Sequence, residues 1–101
     1  MTAGASEVVL RLFIAGSSPN SVAARAVLAR ALAHPAAARV VLELVDVLVE
    51  PERGLADGIL VTPTLVRIQP APQRRVIGNL RDRTALMALL GSVGLEIDDG
   101  R

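Results

Sequence analysis

The stretch VVLRLFIAGSSPNS, Val8 to Ser21, decides the fold. From Glu7 to Ala15 the chain is an apolar run, with Val8, Leu10, Leu12 and Ile14 on one face and Val9, Arg11 and Phe13 on the other. Apolar residues on both faces of a period-two segment predict a strand covered on both sides of its sheet. Gly16-Ser17-Ser18-Pro19 ends the strand. Ser18 followed by Pro19 has the order of an N-cap and a first helical residue, so a helix is predicted from there. Its apolar positions read as Val22, Ala26, Ala29 and Ala33, with Leu28 and Leu32 beside them and Arg25 and Arg30 nearer the opposite side. His34 precedes Pro35, which pushes it out of the α region and ends the helix.

Working outward, Arg39 to Leu48 is a second apolar, β-rich run in which Glu43 and Asp46 are the only acids. A strand, a helix and a strand form a crossover unit, which places the two strands parallel in one sheet. Asp46 within such a strand needs hydrogen-bond partners and is assigned a structural role. Glu50-Pro51-Glu52 opens a short second helix, followed by Leu55, Ile59 and Leu60 with a break at Asp57-Gly58. Thr64 to Ile68 and Arg74 to Ile77 are short strands joined by the five residues Gln69 to Gln73, which predicts an antiparallel hairpin. Asp82 caps a last helix, Arg83 to Leu90, whose Leu86, Leu89 and Leu90 form one face. Ser92 to Ile97 mixes Gly94 with β-branched residues and reads either as a poor helical extension or as a short strand. Residues 1–101 thus form one domain with flexible ends at 1–6 and 98–101.

The order strand, helix, strand, helix, strand, strand, helix is α/β and thioredoxin-like. In that fold the loop after the first strand carries reactive cysteines, facing a proline, usually cis, that opens the third strand. Here Ser17-Ser18-Pro19-Asn20 and Pro63 occupy those places. The chain has no Cys, which excludes disulfide, thiolate-metal and dithiol redox chemistry.

Other chemistries are equally ill served. A net charge of +1 and one aromatic residue, Phe13, make nucleic acid and anionic membranes poor partners. The single His34 offers no metal cluster, so no metal or other cofactor is expected. Gly54 and Gly58 lack the Gly-Lys-Ser/Thr ending of a phosphate loop, and no carboxylate pair is placed for acid/base work. Met1 to Glu7 lacks signal-peptide order and no apolar run reaches the ~20 residues of a membrane helix, so a cytoplasmic location is expected. What remains is a binding protein rather than an enzyme.

Four stretches, Leu12 to Ser21, Val45 to Leu48, Val61 to Leu65 and Arg74 to Leu80, resemble the KaiB family of clock proteins, and the match runs without gaps from Val8 to Leu90. The resemblance implies a non-catalytic regulator that binds the hexameric ATPase KaiC and helps set its phosphorylation cycle. It also implies two folds. One is a resting dimer or tetramer with a different second half, in which Ser92 to Ile97 would supply a strand; the other is a thioredoxin-like monomer. Pro63, Pro70 and Pro72 lie in the half that would refold, and X-Pro isomerisation in tens to hundreds of seconds would make such a change slow.

For partner contact the resemblance favours Arg74 and Arg75, with Arg67 on the adjacent strand, facing an acidic surface; the alternative is solvated hairpin residues. Asn20 and Ser21 serve either local hydrogen bonding or a partner. The chain departs from the family at Ala23 and Gly58, where Lys or Arg is frequent, and at Leu89 and Gly91, positions tied to the balance of the two folds. Glu43 stands where Lys is usual on the strand presented to the partner KaiA, a charge reversal that counts against KaiA. Two alternatives remain: a KaiB-like sensor module of a two-component system, and a glutathione-binding enzyme using Ser17 or Ser18 at a helix N-terminus.

Overall fold

The computed structural model describes residues 7–33 and 39–91. The elements are β1 (Val8–Ile14), α1 (Pro19–Leu32), β2 (Val40–Asp46), α2 (Pro51–Ala56), β3 (Thr64–Gln69), β4 (Arg74–Ile77) and α3 (Arg83–Gly91). They follow the order read from the sequence. His34, the ambiguous run 92–97 and the ends 1–6 and 98–101 lie outside the described residues.

The sheet order is β2-β1-β3-β4. β1 pairs with β2 in parallel from Val8 opposite Val40 to Ile14 opposite Asp46. It pairs antiparallel with β3 across a bulge at Val9/Leu10, and β3 pairs antiparallel with β4. β1 and β3 are therefore the central strands, which is why their apolar residues fall on both faces. On one face Leu10, Leu12, Ile14 and Leu65 pack with Ala24 and Leu28 of α1 and with Leu86, Leu89 and Leu90 of α3. On the other, Phe13, Val45 and Val66 pack with Val47, Ile59 and Ile68 beside α2.

The inward face of α1 differs from the one predicted. Ser21, Ala24, Leu28 and Ala31 are buried, whereas Val22 is half exposed and Ala26, Ala29 and Ala33 are exposed. Alanines occur on several faces of this helix, so the apolar period is nearly degenerate, and a serine counts against the correct face. Ser21 tolerates burial because its Oγ accepts hydrogen bonds from the Ala15 N–H (3.1 Å) and the Ser18 hydroxyl (2.8 Å). Ser18 occupies the N-cap position as predicted, but its hydroxyl caps no backbone N–H of the helix. At α3, Asp82 Oδ1 accepts from the Ala85 N–H at 3.1 Å, and Leu86, Leu89 and Leu90 are buried as expected.

Candidate functional site

The carboxyl end of β1 carries the loop where a thioredoxin fold places its chemistry. Gly16 has φ +56°, and a Cβ there would approach Leu48 Cδ1 to 3.2 Å, so glycine meets both a backbone and a packing requirement. Asp46 Oδ1 accepts from the Gly16 and Leu48 N–H groups, each at 3.0 Å. This is the structural role expected for Asp46: it fastens the β1–α1 loop to the β2–α2 turn. Ser17 is exposed, Ser18 is half-buried and committed to Ser21, and Asn20 is exposed at the start of α1. Ser21, buried, faces no partner in this arrangement.

Opposite the loop, the Thr62–Pro63 bond is cis, as are Gln69–Pro70 and Ala71–Pro72. Pro63 is fully buried, with the Gly78 N–H donating to its carbonyl at 2.9 Å and the Thr64 hydroxyl donating to the Val61 carbonyl at 2.7 Å. Pro70 is half-buried and Pro72 exposed in the β3–β4 loop.

The three arginines expected to share a surface do not. Strand alternation aims Arg67 and Arg74 toward the α1/α3 side and Arg75 toward α2. Arg74 is exposed. Arg75 donates to the carbonyls of Asp57 and Gly58 at the end of α2. Arg67 is 2% exposed and donates to the Leu89 carbonyl (2.9 Å) and the Pro72 carbonyl (2.8 Å). Its strand is covered on both sides, so its guanidinium reaches backbone carbonyls rather than solvent; the expectation of a surface contact is corrected here.

On the α2 side, Arg11 Nε donates to Glu43 Oε1 at 2.7 Å and Arg11 Nη1 to Asp57 Oδ2 at 2.8 Å, while Arg53 Nη2 lies 2.6 Å from Glu43 Oε2. Hydrogen bonds from Arg11 and then Arg53 hold the Glu43 carboxyl below its ordinary pKa, and those to Asp57 and Glu43 raise that of Arg11. Glu43, the charge reversal on β2, is thus occupied within the chain.

Sequence reasoning missed an apolar groove. Val47, Pro51, Leu55, Ile59, Leu60 and Val61 line an open cavity of about 340 Å³ between α2 and the segment leading to Pro63. Leu60 is 94% exposed and Leu55 79%, and Leu48 and Val49 stand out of the neighbouring turn. Large apolar side chains presented together are unusual on a protein surface. The available signal was Gly58-Ile59-Leu60-Val61, too apolar for a solvated connection between a helix and a strand.

Among the described residues there is no group of three or more His, Cys, Asp or Glu that could hold a metal ion. Nor is any described helix long and apolar enough to cross a membrane.

A family model described as the KaiB domain matches residues 11–92. The circadian clock oscillator protein KaiB of Acaryochloris marina is 39% identical over 92 residues, covering 91% of this chain and 88% of that protein. KaiB of Gloeothece citriformis is 40% identical over 91 residues, covering 90% and 86%. Among solved structures, the thioredoxin of Malassezia sympodialis superposes with a TM-score of 0.73 at 24% identity, covering 85% of this chain and 76% of that one. The N-terminal domain of Synechococcus elongatus SasA gives 0.66 at 25% identity, covering 100% and 94%. The fold is thioredoxin-like.

Proposed function

Because the chain belongs to the KaiB family, we propose that it is a non-catalytic regulator that binds a KaiC-like hexameric ATPase and modulates its ATPase and phosphorylation cycle. The observation that carries this reading is the exposed apolar groove beside α2, on a thioredoxin-like frame whose loop holds mutually bonded hydroxyls instead of thiols. Such a frame has a docking surface and no nucleophile pair. Arg74, Arg75 and Asn20, all exposed, supply polar contacts at the edges of the complex, where they set orientation more than affinity.

The binding form is the thioredoxin-like monomer. A resting form self-associates as a dimer or tetramer through a different arrangement of the second half, in which Pro63, Pro70 and Pro72 lie. KaiA is left out, because Glu43 is tied to Arg11 and Arg53 on the strand that would receive it. The complex forms in the cytoplasm.

Size-exclusion chromatography with a KaiC-like ATPase, with and without ATP, tests the proposal. Co-elution is expected, and its absence under both conditions overturns it. The double substitution Leu55→Asp with Leu60→Asp should weaken the complex by roughly tenfold or more while leaving the fold intact, since both side chains are exposed and apolar anchors dominate such interfaces. The likeness to the SasA N-terminal domain favours a second reading, a permanently thioredoxin-like module of two-component signalling. A single monomeric species at every concentration, with no ATPase complex, would select it.

A further inference from the structure

Helix α2 is turned the opposite way from an ordinary surface helix, which sets its apolar residues against the core and its charges in water. Arg53 in the helix and Asp57 at its C-cap, one turn apart, are half-buried, whereas Leu55 is 79% exposed and Pro51 and Ala56 are exposed. The one buried residue of α2 is Gly54, where a Cβ would approach Val47 Cγ1 to 3.0 Å. Six residues supply little helical stability of their own, so the orientation of α2 is set by what touches it. Arg53 Nη2 lies 2.6 Å from Glu43 Oε2 of β2, and Arg53 Nη1 lies 3.7 Å from Glu50 Oε1. Asp57 Oδ2 accepts from Arg11 Nη1 of β1 at 2.8 Å, and Arg11 Nε links the two ties through Glu43. Arg75 of β4 donates to the carbonyls of Asp57 and Gly58, which secures the end of the helix.

We propose that Arg53 and Asp57 are positioning residues of the docking groove: their ties to Glu43 and Arg11 hold Leu55 outward, as part of the groove lining, instead of against the sheet. Burying a leucine returns more free energy than a single solvent-exposed ion pair, so one pair alone would not keep Leu55 outside; a linked set, with a glycine that lets α2 come close, does. The groove is thus kept in shape by charge on the face behind it. The positioning role rests on the reading that this groove docks the ATPase, but the orientation of α2 is measured without a partner, so the two ideas fail separately.

Arg53→Gln combined with Asp57→Asn, made in the full chain, is the deciding variant. It strands no charge, because Arg11 and Glu43 remain bonded to each other. Exposure of the Leu55 methyl groups, read by NMR from their broadening by a soluble paramagnet, should fall roughly threefold or more, and affinity for a KaiC-like ATPase should fall by the same factor, because only molecules with Leu55 outward are competent. Resistance to denaturant should not fall, whereas losing a merely structural ion pair lowers it and leaves Leu55 outside. Arg53→Lys with Asp57→Glu, which keeps both charges, should restore exposure and affinity. Arg53→Gln alone, with a smaller effect, carries the test if the double variant does not fold. Leu55 exposure unchanged in the neutral variants overturns the proposal, whatever the ATPase does. Exposure that falls while affinity is unchanged overturns the groove as the docking surface, and the positioning role with it.

Discussion

The two halves of the molecule are held by different means. The half from β1 through β2 is built on a seven-pair parallel ladder and a fourteen-residue helix, with Ser21 bonded to Ala15 and Asp46 to Gly16 and Leu48. The half from α2 through α3 consists of elements of six, six, four and nine residues. It turns through positive φ at Gly58, Gly78 and Leu80. For Leu80, at φ 68°, the conformation is unfavourable and is held by a side chain only 2% exposed in the main core. Its helices are tied down by arginines on neighbouring strands, Arg67 for α3 and Arg75 for α2. The first half rests on a long ladder and a long helix; the second, with shorter elements, relies more on individual arginine-to-carbonyl ties.

Paired cavities should break or confirm that contrast most visibly. Leu28 in α1 is fully buried and Leu86 in α3 is 5% exposed, both in the same cluster. Leu28→Ala should cost about 2 to 5 kcal/mol and lower the denaturant midpoint for every probe together. Leu86→Ala removes the same atoms, but its cost cannot exceed that of undocking α3, because the native ensemble relaxes by local opening instead. It should therefore lower the global midpoint less and accelerate exchange in α3 selectively. Equal global losses for the two variants would show that the halves are equally secured.

A smaller effect is expected where the first half meets the turn into α2. Asp46→Ala leaves the Gly16 and Leu48 N–H groups without their acceptor, which should cost about 1 to 3 kcal/mol. Because the tie sits at the head of the apolar groove, the same variant should also weaken docking. Asp46→Asn, which retains an acceptor oxygen, should recover most of the loss by thermal denaturation.

Much of the fold was legible because its signals are local. Period two with apolar residues on both faces marked β1 as central, Ser18-Pro19 and Asp82 marked helix starts, and Gln69 to Gln73 marked the hairpin. The face of α1 was not legible, since alanine satisfies several helical faces and Ser21 is buried only because Ser18 and Ala15 lie within reach. The site was less legible still. Arg67, Arg74 and Arg75 are indistinguishable by residue type, and only the order β1-β3-β4 makes the first a core residue and leaves the others outside. The groove escaped because Leu55, Ile59 and Leu60 mark a short helix and its end in the sequence, and nothing in their spacing shows that Leu55 and Leu60 face outward.

The smallest effect concerns a charged network that joins the halves on the α2 side, Glu43 of β2 with Arg53 of α2 and with Arg11, which also reaches Asp57. Glu43 has its carboxyl pKa lowered from 4.5 by hydrogen bonds from Arg11 and then Arg53. A depressed carboxyl pKa contributes stability that is present above the unfolded value and is lost as pH falls through the folded one. With its side chain 38% exposed, solvent screening keeps Glu43 within the range of surface pairs, about 0.2 to 1 kcal/mol. The difference in unfolding free energy between Glu43→Gln and the unsubstituted chain should therefore be small at pH 7, smaller in 1 M salt, where screening acts within roughly 3 Å, and vanish once the pH is below the folded pKa. A loss well above 1 kcal/mol at pH 7 would mean that charge, rather than the shared core of Phe13, Val45 and Val66, joins the two halves on this face.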